Sequence, residues 1–210
     1  MLLRILSAMV LGPLFIVAIL WLKPLFYVLM ILVAIGMLCE WYDMTSSSLL
    51  HLLTGLVVIP LPIGSLILLH ARDNNQWLIL LYFVIIWSVD TFAMIGGKIV
   101  GGLRLAPKIS PKKTWSGLIV GVISAGFITV FVNYYFLHSY FSRAYYLFII
   151  SCSLALTAQL SDLFVSYFKR KFNIKDSGTI IPGHGGVLDR FDSIILTAPI
   201  LLFLYLYDYF

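Results

Sequence analysis

Apolar runs of bilayer-crossing length constrain this chain more than any other feature. A hydrocarbon core takes roughly 20 helical residues to cross, and windows of that kind fall at residues 3–22, 25–43, 49–70, 77–96, 116–137, 144–165 and 191–207. Of the 210 residues, 61% are hydrophobic and only 11% charged, where a soluble domain carries about 25% charge. The expected fold is all-α: a polytopic integral membrane protein with about seven transmembrane helices. The first run, Leu2 to Leu22, exceeds the ~7–15 residues of a signal-peptide core and has no small-residue cleavage site behind it, so it is read as a span. The third holds Pro60, Pro62 and Gly64, which predict a kink or a re-entrant pair of half-helices.

The few charges are unevenly placed. Lys98, Arg104, Lys108, Lys112 and Lys113 fall in the connection 97–115, and Lys169, Arg170, Lys171, Lys175 and Arg190 in the connection 166–190. Two spans separate these connections, so both lie on one face, and an excess of Lys and Arg marks that face as cytoplasmic. The other face keeps Lys23, Arg72 and Arg143, three of the fourteen cations. Trp21, Trp41, Trp77 and Trp115 stand at predicted span ends, where an amphipathic ring suits the head-group region, and Trp87 lies deeper, between helices. His51, His70 and His138 read as interfacial, and Cys39 and Cys152 as ordinary buried residues without a CxxC. No repeat or linker divides the chain, so residues 1–210 are one membrane domain.

The chemistry concentrates in Ser166 to Asp192, which packs five cations, three carboxylates, a histidine and four glycines between two apolar runs. Asp189 and Asp192 open the last run three residues apart, on one helical face. Before them, Pro182, Gly183, His184, Gly185 and Gly186 allow backbone N–H groups close to an anion. Asp90 and Asp162 lie inside spans, where a charge costs about 2.5–3.5 kcal/mol on insertion scales and is a functional candidate by default. Four carboxylates converging at one depth repel one another, and a bound cation resolves that conflict. In the other connection Pro107 and Pro111 stiffen the backbone around Ser110, while Lys108, Lys112 and Lys113 offer ammonium groups to a polyphosphate. The ligand these features describe is phosphoryl or nucleotidyl, and no nucleic-acid partner is expected.

The order Ser166, Phe168-Lys169-Arg170, Lys175-Asp176, Gly178, Ile181-Pro182, His184-Gly185-Gly186-Val187, Asp189-Arg190-Phe191-Asp192 resembles the signature of the phosphatidate cytidylyltransferase (CDP-diacylglycerol synthase) family. Asp90-Thr91, Gly97-Lys98 and the run Ala106 to Trp115 resemble its second cluster, so the likeness covers residues 77–210; residues 1–76 carry no family motif. Ser161-Asp162 stands where family members commonly have Gly-Asp, and a local packing change is expected there. The resemblance implies CTP and phosphatidate as substrates, CDP-diacylglycerol and pyrophosphate as products, and Mg2+ with a second, monovalent cation such as K+. It also implies a homodimer in the cytoplasmic (inner) membrane, among membrane lipids, with the active site facing the cytoplasm.

On that basis Asp162 and Asp189 are expected to hold Mg2+, with Asp192 and Asp90 completing or supporting the site. Lys169 and Arg170 are expected to hold the lipid or α-phosphate, and Ser110, Lys112 and Lys113 the triphosphate. Ser166, Lys175, His184, Gly185, Gly186 and Arg190 are further substrate-binding candidates from the signature. The sibling alternative is a CTP-dependent enzyme acting on an ether-lipid phosphate or a polyprenol. An ion-coupled transporter would also bury acids, but it has no need of ten cations and a glycine turn on one face.

Overall fold

The computed structural model describes residues 12–74, 76–138, 140–180 and 185–207. The early part of the first expected span and His184 with its neighbours 181–183 lie outside the described residues. Residues 12–20 are helical (α1). There follow α2 (Lys23–Thr45), α3 (Leu49–Val58), α4 (Pro60–Arg72), α5 (Trp77–Ile99), a hairpin of β1 (Arg104–Ala106) and β2 (Ser110–Thr114), α6 (Trp115–Tyr135), α7 (Ala144–Lys171), α8 (Leu188–Phe191) and α9 (Ile194–Leu206). Counting α3 and α4 as one segment of 24 residues, five helical segments among the described residues are long and apolar enough to cross a membrane, and α9 is a shorter apolar helix.

Pro24 sits in the first turn of α2, where a missing N–H removes no helical bond. Pro60 breaks the third run because it cannot donate to the preceding turn. Ile59 nevertheless stays right-handed and bonds to the Gly55 carbonyl, so the two pieces join as a kinked rod. The rod runs from one end of the bundle to the other. At its start His51 accepts from Lys171 at the end of α7 (2.8 Å), and at its end the Arg72 carbonyl accepts from Tyr205 of α9 (3.5 Å). Of the two expected forms, kink or re-entrant pair, the kink is the one adopted.

α5 and α6 pack most tightly because small residues face each other. A Cβ on Gly121 would stand 2.8 Å from both the Ala93 methyl and the Val89 carbonyl, and one on Gly96 2.6 Å from Val120. Close backbone approach of this kind is how helices associate in lipid, where apolar burial gives no driving force. Gly64, by contrast, has open space where a Cβ would be. Gly121→Ala is therefore expected to cost about 1–3 kcal/mol through overpacking, while Gly64→Ala stabilises by about 0.4–1 kcal/mol. Thermal unfolding in detergent should move in opposite directions for the two.

The connection expected as a proline-stiffened loop is an antiparallel hairpin, with Arg104 opposite Thr114 and Ala106 opposite Ser110. The Thr114 hydroxyl then caps α6 by accepting the Gly117 N–H at 3.1 Å. Three of the smaller expectations are corrected. Trp41 is 1% exposed and donates to the His51 carbonyl, so it pins α3 to α2 and does not sit among head groups. His70 is fully buried, stacked on Phe26 at 4.2 Å, and is not interfacial. Cys39 is exposed, not buried.

Candidate active site

The two basic connections meet at one end of the bundle. Arg170 ties them, donating through Nε to the Ile109 carbonyl in the hairpin turn and through Nη1 to the Ile174 carbonyl, both at 3.1 Å. Beneath them opens a cavity of about 910 Å3 whose polar floor carries Asp90, Gln159, Asp162, Asp189, Arg190 and Asp192, with Lys112 and Lys113 at its edge. Its walls are apolar: Leu29, Leu32 and Val33 from α2, Phe83, Ile86 and Trp87 from α5. Trp87, expected between helices, lines this space and is 41% exposed.

One network crosses the floor from α5 to α7 through the hairpin. Gln159 donates to Asp90 Oδ1 (2.9 Å) and accepts from Lys113 Nζ (2.9 Å), and Lys113 also pairs with Asp162 Oδ2 at 2.6 Å. The other Asp162 oxygen accepts from Ser166 one helical turn away (3.1 Å). Asp90, Asp162 and Asp192 lie within electrostatic reach of one another. The Lys113 ammonium therefore offsets part of a repulsion that the fold imposes.

A second cluster organises the glycine loop. Lys169, 8% exposed, donates to Asp189 Oδ1 at 2.7 Å. Asp189 Oδ2 accepts the backbone N–H groups of Ser177 (3.0 Å) and Gly186 (3.2 Å). Burial by itself would raise the Asp189 carboxyl, but the Lys169 bond and charge and the two N–H donors outweigh it and hold the group below its ordinary value. Gly185 has φ +89°, a conformation glycine adopts without steric cost.

Of the expected site residues, the structure brings Asp90, Asp162, Asp189, Asp192, Lys112, Lys113 and Arg190 to one cavity. Lys169 and Ser166 stand behind the acids they bond. Arg170 braces the hairpin, while Ser110, Lys175, Gly185 and Gly186 are not among the residues lining the cavity. Ser161, expected to alter local packing, is fully buried; its hydroxyl donates to the Asp192 carbonyl and accepts the Leu196 N–H, joining α7 to the start of α9. Sequence reasoning missed Gln159 and Glu40. Each is a polar side chain inside an apolar run, which was the signal available, and each is buried, at 4% and 2% exposure.

Among the described residues, no three His, Cys, Asp or Glu side chains are grouped closely enough to form a ready-made metal cage. The donor set nonetheless suits Mg2+, a hard cation that binds one or two carboxylates and completes its shell with substrate phosphates and water.

Apolar spans around a cavity that gathers carboxylates and ammonium groups describe an integral membrane protein with a site for charged ligands. The chain belongs to the Cytidylyltransferase family, which it matches over residues 46–208. It is 72% identical to the phosphatidate cytidylyltransferase of Rickettsia bellii over 206 residues, covering 96% of this chain and 89% of the relative. Against the Rickettsia prowazekii phosphatidate cytidylyltransferase the identity is 65% over 209 residues, 98% of this chain and 92% of the relative. The phosphatidate cytidylyltransferase of Staphylococcus aureus is 40% identical over 139 residues, 66% of this chain and 53% of the relative.

Proposed function

We propose that this enzyme transfers the cytidylyl group of CTP to phosphatidate, releasing CDP-diacylglycerol and pyrophosphate. The observation that carries the reading is a cavity lined both by charged side chains and by apolar ones, since the two substrates are a polyanion and a lipid. A phosphate-monoester oxygen of phosphatidate attacks the α-phosphorus of CTP, one P–O bond forms, and the bond to the departing pyrophosphate breaks. The second pKa of a phosphate monoester is about 6, so the nucleophile is already ionised near neutral pH and no general base is required.

The residues' work is electrostatic. Lys112, Lys113 and Arg190 face the cavity, where positive charge offsets the mutual repulsion of two anions and the charge gathering on the leaving group. Asp162 and Asp192, supported by Asp90, would hold Mg2+, with Asp189 beside them in the same cavity, its oxygens bonded to Lys169 and to backbone N–H groups. When bound, the cation supplies Lewis-acid stabilisation of the phosphate oxygens. A second, monovalent cation such as K+, and a homodimer, belong to the same reading. Ten of the fourteen cations lie in the two connections at the cavity end, which supports a cytoplasmic face and a cytoplasmic-membrane location.

Purified protein in detergent, given CTP, phosphatidate and Mg2+, is expected to release pyrophosphate, to stop with a chelator, and to slow when K+ is replaced by a bulky organic cation. Turnover of an ether-lipid phosphate or a polyprenol in preference to phosphatidate would overturn the substrate assignment.

A further inference from the structure

The stretch matching the family begins at residue 46, yet a side chain before it bonds residues on both sides of the glycine turn that precedes Asp189. Glu40, near the end of α2 and 2% exposed, accepts three hydrogen bonds from the loop that carries Gly185 and Gly186. Ser177 Oγ donates to Oε2 at 2.7 Å, Leu188 N to the same oxygen at 2.9 Å, and Val187 N to Oε1 at 2.8 Å. Asp189 grips the same two limbs from another carboxylate, through Ser177 N and Gly186 N. The loop is thus held between two acids, one of which is bonded to Lys169.

The glycines of the signature record the same contact. A Cβ on Gly178 would come within 2.7 Å of Glu40 Oε1, and one on Gly186 would fall on Ser177 Oγ and Glu40 Oε2. These two positions are open to glycine because Glu40 occupies the space beside them. A buried carboxylate is tolerated when hydrogen bonds to its oxygens replace those of water, and here the donors are Ser177 Oγ, Val187 N and Leu188 N, at the loop's two ends and the start of α8.

From this geometry we propose that Glu40 is a positioning residue for the transfer reaction, holding Ser177 against the Gly186–Leu188 backbone and, through these two stretches, setting the Asp189–Lys169 pair. The proposal rests on the functional reading above, because it assigns the loop a part in that site. Its mechanism is geometric: with Glu40 in place, Asp189 finds both N–H groups at once and its remaining oxygen is directed at Lys169.

The test is Glu40→Gln, which keeps the shape but turns an NH2 group toward a backbone donor, alongside Ser177→Ala and the double variant. In detergent-solubilised full-length protein, Glu40→Gln should lower kcat by about ten- to a hundredfold, the usual cost of losing an outer-shell partner, with little change in KM for CTP. Hydrogen exchange should quicken at Val187 and Leu188 while α5 and α6 amides keep their protection. The double variant should be little worse than Glu40→Gln, since both changes act on one network. Wild-type kcat in Glu40→Gln would overturn the proposal, as would a lost kcat with unaltered exchange at residues 187–188, or exchange that rises throughout the bundle. Wild-type protein inactive on CTP and phosphatidate would sink the functional reading instead, and the exchange arm would then decide by itself whether Glu40 holds the loop.

Discussion

Asp189→Asn is expected to abolish CDP-diacylglycerol formation, by about 10^2-fold or more on the scale of a lost electrostatic contact in a preorganised site, and to destabilise the protein as well. Among the described residues, Asp189 is the side chain that accepts the hydrogen bond of Lys169, which is 8% exposed. Removing one partner of a buried pair typically costs about 3–5 kcal/mol, because the other charge is left uncompensated. Adding Lys169→Met to Asp189→Asn should therefore recover much of the lost stability and none of the activity. Thermal unfolding and pyrophosphate release, measured on the same preparations, separate the two effects. Full activity in the single variant would remove Asp189 from the mechanism. The pH dependence has a definite sign: the native carboxyl is held below its ordinary value, so its contribution is complete above about pH 4. That contribution fades only as pH falls through the lowered native pKa.

Lys113→Met is the second large effect. Lys113 joins β2 to α7 by bonding Asp162 at 2.6 Å and Gln159 at 2.9 Å. Without it Asp162 faces Asp90 and Asp192 with one cation fewer, and Gln159 loses the contact that orients its amide toward Asp90. The expected loss in kcat/KM is about 10^2–10^3-fold. Lys113→Arg should restore only part of it, because a planar fork cannot replace a compact ammonium between two acceptors. The pair is partly open to solvent, 19% and 24% exposed on its two side chains, so the stability cost should be smaller than for Asp189→Asn. Initial rates across a range of CTP and phosphatidate concentrations, with unfolding as control, check this; an Arg variant as active as wild type would show that charge alone suffices there.

Much of this architecture was legible in residue order. Apolar runs separated by charged connections predicted the helices, because a backbone in lipid has few ways to satisfy its own hydrogen bonds. Proline at 60 predicted the break before α4 for the same covalent reason that produces it. Asp90 and Asp162 were marked by the cost of a charge in an apolar run, Asp189 and Asp192 by their three-residue spacing where the last run opens, and the cavity gathers all four. What residue order left open was pairing. Lys169 and Asp189 are twenty positions apart, and Lys113 and Gln159 forty-six, and no spacing rule links them. Trp41 and His70 were misplaced for a related reason: an amphipathic ring at a span end suits head groups and buried clefts equally, and only neighbouring helices decide which is available.

By itself the sequence determined that this protein lives in a membrane, where its polar chemistry lies along the chain, and which side-chain types that chemistry uses. Lipid-transfer energies and helical backbone hydrogen bonding are local properties that any window of residues carries with it. Tertiary structure alone decided which charge meets which. Glu40 of α2 reaches the glycine loop nearly 150 residues later, at Val187 and Leu188, and holds its two limbs together. Hydrogen bonds act over about 3 Å, so partners that distant in sequence exist only once the helices have packed.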